Sequence, residues 1–577
     1  MRSPTLLSRL VPALGWGRAY RRADLGHDLS AGVITAALLI PQGLAYALLA
    51  GLPPQVGLYA SIIPPAIYAL LGTSRTLAVG PVSVAALLVA EALRGTGLEP
   101  GSQAWLDQAL MLAALSGALL LLMGALRLGR LVDFLSHPVL SGFTSAAAVL
   151  IIFSQAGALL GIPAPKAGLF WQQAPALLAS LPLWHPATTA LGLGGVALLA
   201  FLRAGFPALL RRLGLAAATA GLLSRAAPLA LVFASIALVA ALGLAEKGVA
   251  VVGAIPAGLP SASLAFLSSG ISGSLLGSAL LIALIAYVES ISVAKVLAYR
   301  RRERVAANQE LLALGAANAA AAVSGAMPVA GGFSRSMVNY AAGARTQLAT
   351  LITTALVLLA TLFFTPAFER LPKSVLAAVI VVAVAPLVDW RALRSAWRYD
   401  RADGATWLVT FLISLAWNLE AGLISGALLS LAVFQARASR PHLAVVGRVP
   451  GTEHYRNVCR HTVETWPELL LLRVDRSLYF ANSGHLEDVV ARAAAEQPAL
   501  RDLVLICCAI NSIDHSALAA LERLSLSLEE AGITLHLAEV KGPVMDRLRH
   551  SELLEALAPG RIFLSTEAAV RQLRGRP

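Results

Sequence analysis

Charge is what this chain has least of. Only 13% of its 577 residues are Asp, Glu, Lys or Arg, where a soluble protein carries about 25%. With 57% hydrophobic residues and a mean hydropathy of +0.73, a water-soluble globule is excluded and a polytopic membrane protein is expected. Cysteine is also scarce. Cys459, Cys507 and Cys508 all lie beyond residue 450 and two are adjacent, which excludes a disulfide framework and zinc-type spacing. They are expected to be buried or free thiols in a reducing compartment. A nucleotide loop, paired catalytic carboxylates and a metal-ligand cluster are missing. His454 and His461 flank Cys459 without a second ligand pair. Neither an enzyme nor a bound cofactor or metal is therefore expected. The amino terminus lacks a short apolar run with a small-residue cleavage site, so a cleaved signal is not expected.

Acidic residues are the scarcer sign. Residues 1–440 hold 30 Lys+Arg against 15 Asp+Glu, and residues 441–577 hold 15 against 17. The near-neutral tail argues against nucleic acid as a partner, and the net charge of +13 belongs to the apolar part. About 20 apolar residues are needed per full span, and residues 31–436 accommodate fourteen segments, with a short third (79–93) and a short tenth (333–343). These two occupy corresponding positions in two sets of seven. Paired short segments of this kind point to a transporter site built from inverted repeats. With residues 1–30 as a cytoplasmic segment, 21 arginines fall on the inner side and five Lys or Arg on the outer, the positive-inside pattern. Both termini are then cytoplasmic.

Beyond a linker over 437–462, apolar β-rich runs alternate with amphipathic helices over 463–577, as in LLLLRVDRSLYFANSGHL, DLVLICCAINSIDHSALAALERL and ITLHLAEV. This pattern reads as one small α/β domain.

Two segments carry the chemistry. AGGFSRSMVNYAAGART, residues 330–346, sets Arg335 among apolar runs. Such a charge is expensive in lipid unless it faces a cavity or meets an anion. A broken helix beginning at Gly331, Gly332, Ser334 and Arg335 is thus a candidate anion site. In the first span, Pro41 and Gln42 put a kink and an amide inside an apolar helix, with Tyr46 one turn on. After Gly80-Pro81 the third segment restarts as a helix, with Pro favoured in its first turn. Its free N–H groups and positive dipole end point inward, facing the terminus at 332–336.

GLYASIIPPAIYALLGTSRTLAVGP and GGFSRSMVNYAAGARTQLA resemble motifs of the SulP family, the sulfate permeases and their animal anion-exchanger relatives, prestin among them. LRVDRSLYFANSGHL and NSIDHSAL resemble a STAS domain. The resemblance implies a 7+7 inverted repeat of fourteen spans, with core and gate domains, followed by a cytoplasmic α/β STAS domain. It places the anion site on Gln42, Tyr46, Val82, Ser83, Ser334 and Arg335. At Val82 several animal members carry an aromatic, so the pocket wall here is smaller.

Glu289, in the eighth span, reads as a coupling site for a proton or a sodium ion, or as the ion-pair partner of Arg335. Having no second carboxylate on its span, it favours the proton. In the tail, Asp514 and Ser516 occupy a turn where bacterial relatives carry a phosphorylatable serine. An N-cap is the plainer role, and His515 between them reads as a solvated turn residue. The expectation is a secondary transporter of sulfate, bicarbonate or a dicarboxylate in the bacterial inner membrane, working by elevator-type alternating access. It is expected to be a homodimer assembled partly through its STAS domains. An uncoupled anion channel, a nucleobase permease of the same architecture and an anion-sensing scaffold are the alternatives.

Overall fold

The computed structural model of the chain describes residues 11–130, 136–163, 170–206, 209, 212, 217–256, 258–259, 262–269 and 273–575. Of the basic residues assigned to loops, Arg2, Arg9, Lys166 and Arg211 lie outside them, as does the side chain of Arg225. Two compact units divide the chain, Met1–Ser430 and Leu431–Pro577.

The first unit is helical, and eight helices among the described residues are long and apolar enough to cross a membrane. Eight helices of the unit form one interleaved block. The first four are α1 (Arg22–Leu49), α2 (Ile63–Leu71), α3 (Ser83–Arg94) and α4 (Gln103–Ala125). The other four are α5 (Gly273–Arg301), α6 (Ala307–Val323), α7 (Phe333–Ala341) and α8 (Leu348–Phe363). Each member of the first half packs on the second: α4 on α6, α1 on α8, α2 on α6, and α3 on α5. Helices α4 and α6 meet at Gly117 and Gly315, where a Cβ on Gly117 would lie 2.6 Å from the Ala319 backbone nitrogen. Small residues are needed because lipid supplies no hydrophobic drive between helices, so close backbone packing holds them together.

Two local expectations are revised, the start of the first helix and the place of Pro81. Helix α1 starts at Arg22, not near residue 31, and carries Asp28 with it. That carboxylate is buried and accepts from the N–H groups of Arg345 and Thr346 at 2.6 and 3.0 Å and from the Thr346 hydroxyl at 2.7 Å. Pro41 sits within α1 without ending it. Pro81 is not in the first turn of α3: Val82 is the N-cap, which leaves Pro81 before the helix with its carbonyl free to accept.

The second unit has a six-stranded sheet in the order β4-β3-β5-β6-β7-β8. The strands are β3 (Leu443–Arg448), β4 (Tyr455–Asn457), β5 (Leu469–Val474), β6 (Asp502–Ile506), β7 (Thr534–Ala538) and β8 (Ile562–Phe563). Strands β5 to β8 are parallel. Their Leu- and Val-rich runs are buried on both faces, as parallel sheets require. The stretch read as a linker is part of this sheet, since β3 and β4 add antiparallel strands at its edge. Leu443 and Val445 pack on one face of the sheet and Ala444 and Val446 on the other, an alternation too short to separate from loop by pattern alone.

Candidate functional site

The two polar interruptions meet in space. β1 (Val79–Gly80) pairs antiparallel with β2 (Ala330–Gly331), Val79 opposite Gly331 and Gly80 opposite Ala330. Each short strand runs directly into a half-helix, β1 into α3 and β2 into α7. The N-caps, Val82 and Gly332, make no side-chain capping hydrogen bond. Two first turns of backbone N–H groups are therefore left for a ligand, at the positive ends of two helix dipoles.

Side chains from one half hold the backbone of the other. Ser336 Oγ accepts from Ala78 N–H at 2.9 Å, and the Asn339 amide donates to Thr76 O at 3.1 Å. Gln347 Nε2 donates to Ser74 O and Leu77 O at 2.6 and 3.0 Å. Within the second half itself, Ser290 Oγ on α5 accepts from Gly331 N–H at 2.8 Å while donating to Ala286 O. Glu310, fully buried on α6, accepts from the Tyr68 hydroxyl at 2.6 Å, from Thr73 N–H at 2.7 Å and hydroxyl at 2.5 Å, and from Ser74 N–H at 3.2 Å. These supports escaped the sequence reading, which counted Glu289 as the only intramembrane charge besides Arg335. Their partners lie far away along the chain, so no local signal could have found them. A Glu at the start of an apolar span was the one visible hint.

Within this frame Arg335 is 3% exposed. Its Nε donates to Ala78 O at 3.2 Å, Nη1 to Pro81 O at 3.0 Å and Nη2 to Ala330 O at 3.4 Å. A guanidinium has five N–H groups, so two are left over. Carbonyl dipoles solvate the charge without cancelling it. Among the described residues no carboxylate forms an ion pair with Arg335, so Glu289 is not its direct counter-ion. Gly80 and Gly332 make the slot: a Cβ on either would lie 3.3 or 3.2 Å from Nη2.

One cavity of about 40 Å³ is lined by Gln42, Tyr46, Val82, Ser83, Ser334, Arg335 and Glu289, all seven residues singled out from the sequence. Pro81, Gly332, Phe333, Ala383 and Leu387 complete its wall. Gln42 and Tyr46, each 6% exposed, come from α1 beside Pro41. Gln42, although buried as a residue, lines this cavity with its side chain.

In the second unit Asp514 is a structural cap. Its Oδ1 accepts from Ala517 N–H and its Oδ2 from Phe480 N–H, both at 2.8 Å. His515 and Ser516 are exposed in the first turn that follows.

Residues 25–410 match the sulfate permease family and residues 460–569 the STAS domain. Sulfate transporter 4.1, chloroplastic, of Arabidopsis thaliana is 33% identical over 99% of this chain and 83% of its own length. A probable sulfate transporter of Mycobacterium tuberculosis is 33% identical over 99% of this chain and its entire length. The solved structure of the murine Solute Carrier 26 family member A9 anion transporter in the inward-facing state superposes with a TM-score of 0.87 at 22% identity. It covers all of this chain and 96% of its own. The transmembrane domain of the cyanobacterial bicarbonate transporter BicA gives 0.58 at 22% identity over 70% of this chain and 98% of its own. The chain is thus a multi-pass membrane protein of the sulfate permease family, a family of transporters rather than enzymes, and carries a STAS domain in its carboxyl-terminal part.

Proposed function

We propose that the protein is a secondary transporter for a small oxyanion, sulfate first and bicarbonate or a dicarboxylate next. Anion binding occurs in the cavity between the starts of α3 and α7. The observation that carries this reading is the buried Arg335 charge, held by three carbonyls and left without a carboxylate partner among the described residues. An oxyanion there receives the two remaining guanidinium N–H groups, the first-turn N–H groups of two helices, and the Gln42 amide. Charge-assisted hydrogen bonds of this kind are the strong ones. A nucleobase permease is disfavoured because a neutral ring would leave the charge uncompensated.

Glu289 lines the same cavity without pairing with Arg335, which supports its role as the coupling-proton carrier over that of a salt-bridge member. Sodium coupling is disfavoured because Glu289 has no second carboxylate on its helix. Transport proceeds by movement of the block of α1–α8, with its bound anion, past the remaining helices. Both termini lie in the cytoplasm of a bacterial cell, following the arginine asymmetry, and the STAS domain assists assembly of a homodimer.

The test uses purified protein in liposomes, with a panel of anions offered with and without a pH gradient. Saturable anion uptake accelerated by an inward proton gradient is expected. Uptake indifferent to the gradient would favour the uncoupled channel, and no anion uptake would refute the reading. Deleting residues 441–577 should impair assembly or transport rate more than anion affinity, with the number of copies per particle read from its mass in nanodiscs beside binding titrations.

A further inference from the structure

A second, larger cleft lies in the same helical unit and shares no lining residue with the transmembrane cavity. It measures about 800 Å³ and forms where the start of α1, the turn after α2, the end of α5 and the end of α7 come together. Four guanidinium groups line it, from Arg21, Arg75, Arg301 and Arg345, against two carboxylates, Asp24 and Glu303.

Arg301 is built into the wall, and Arg75, itself exposed, has a carboxylate neighbour. Arg301 Nη2 donates to Ala344 O, and its guanidinium lies 5.0 Å over the Tyr340 ring. Arg75 makes only a loose pair with Glu303, at 3.7 Å. The other two are exposed, and among the described residues neither Arg21 nor Arg345 has a carboxylate within ion-pair distance. Arg345 is nevertheless well placed, because Asp28 holds its backbone N–H and that of Thr346. The loop after α7 is thereby fixed, with the Arg345 side chain turned to the cleft.

We propose that this cleft is a second anion site, specific for a phosphoryl group on a compact ligand, and that its occupant braces the carboxyl end of α7. Guanidinium forks match phosphoryl oxygens bidentately. Basic pockets between transmembrane helices bind phospholipid headgroups, and the volume falls within the range of about 300–1,000 Å³ typical of ligand sites. The site has a mechanical link to transport, since α7 runs from Arg335 near its first turn to Tyr340 and Ala341 at the cleft. The phosphoryl group has two sources, an anionic lipid headgroup or a soluble phosphate.

The experiment takes the full chain with Arg335→Ala, so that the transmembrane cavity does not contribute, and follows thermal unfolding in nanodiscs. One arm titrates inorganic phosphate into phosphatidylcholine nanodiscs. The other compares phosphatidylcholine with phosphatidylglycerol discs without phosphate. Stabilisation in the first arm identifies a soluble phosphate and in the second a lipid headgroup. Adding Arg21→Gln and Arg345→Gln should weaken that response by roughly fivefold or more, the loss of two charge-assisted contacts. Should Arg335→Ala not fold, the native chain without sulfate replaces it, and the difference from its Arg21→Gln/Arg345→Gln form isolates the share of the response that belongs to the cleft. Equal responses with and without the two substitutions, or no response in either arm, would overturn the proposal. Failure of Arg335→Ala to lose substrate binding would bear on the transmembrane site alone.

Discussion

Arg335 and Pro81, 254 positions apart, are joined by a 3.0 Å hydrogen bond from Nη1 to the proline carbonyl. The residue that interrupts the first half thus accepts from the cation that interrupts the second. Each half of the chain supplies what the other half's broken helix lacks. Pro81 has no N–H of its own to satisfy, and its carbonyl, lying ahead of the helix, helps solvate a buried charge.

Replacing Arg335 with Ala should weaken anion binding by about 30-fold or more, since charge-assisted hydrogen bonds are worth about 1.5–3 kcal/mol each. Calorimetric titration of the purified variant measures this, beside size-exclusion profiles that report folding. Wild-type affinity in a folded variant would remove the basis of the anion site.

Gly332→Ala tests the slot without touching the charge. The backbone there, at φ −80°, accepts alanine, but the new Cβ would lie 3.2 Å from Nη2. The guanidinium must shift by a few tenths of an ångström and lose alignment with its carbonyls. Anion affinity should fall by roughly tenfold, as a misplacement of this kind weakens hydrogen bonds steeply, while the melting temperature stays close to that of the parent. Transport KM and thermal unfolding together decide it.

Glu289→Gln should abolish accumulation driven by a pH gradient yet retain anion binding and exchange. Flux assays in liposomes with counterflow and gradient-driven arms separate the two. Acid stimulation that survives the substitution would return Glu289 to a structural role.

Glu310→Ala should destabilise the helical unit by about 2–4 kcal/mol, because buried donors would be left without an acceptor. The donors are Tyr68, Thr73 and Ser74. Thermal unfolding in detergent should show this loss, and any protein that remains folded should bind anion with near-native affinity. A variant as stable as the parent would show that the network contributes little.

In the STAS domain, Asp475 accepts from Arg473 Nε at 2.5 Å and Nη2 at 3.1 Å and lies 2.7 Å from His442 Nδ1. Hydrogen bonding to Arg473 holds its carboxyl below the usual carboxylate value, with His442 adding to the effect. A depressed folded-state value means the stabilisation is present above the unfolded carboxylate range and is lost as pH falls through the folded value. Asp475→Asn should therefore lower stability near neutrality by about 1 kcal/mol and flatten its decline in acid. Urea unfolding at a series of pH values, followed by far-UV circular dichroism, gives both quantities. The buried Cys507 thiol, pushed up to about 12 by desolvation, should stay unreactive to alkylation over the same range.

Much of this protein is local, and what is local was legible. The apolar runs, the two short polar breaks and the strand–helix alternation of the tail follow from hydropathy, from the Gly80-Pro81 and Gly331-Gly332 pairs, and from the Asp514 turn. Each is a property of a few neighbouring residues, and seven of the twelve residues lining the cavity could be picked out from such signals together with family resemblance. Whether Glu289 would pair with Arg335 stayed open, because a charge names no partner until geometry does. Tertiary structure decided that the arginine is held by carbonyls of Ala78, Pro81 and Ala330. It also made Asp28 and Glu310 acceptors for loops in the opposite half, and it drew Leu443–Arg448 into the tail sheet. Those outcomes depend on contacts between segments up to hundreds of residues apart. A buried donor takes the acceptor that packing brings within about 3 Å, and only the closed fold sets which one that is.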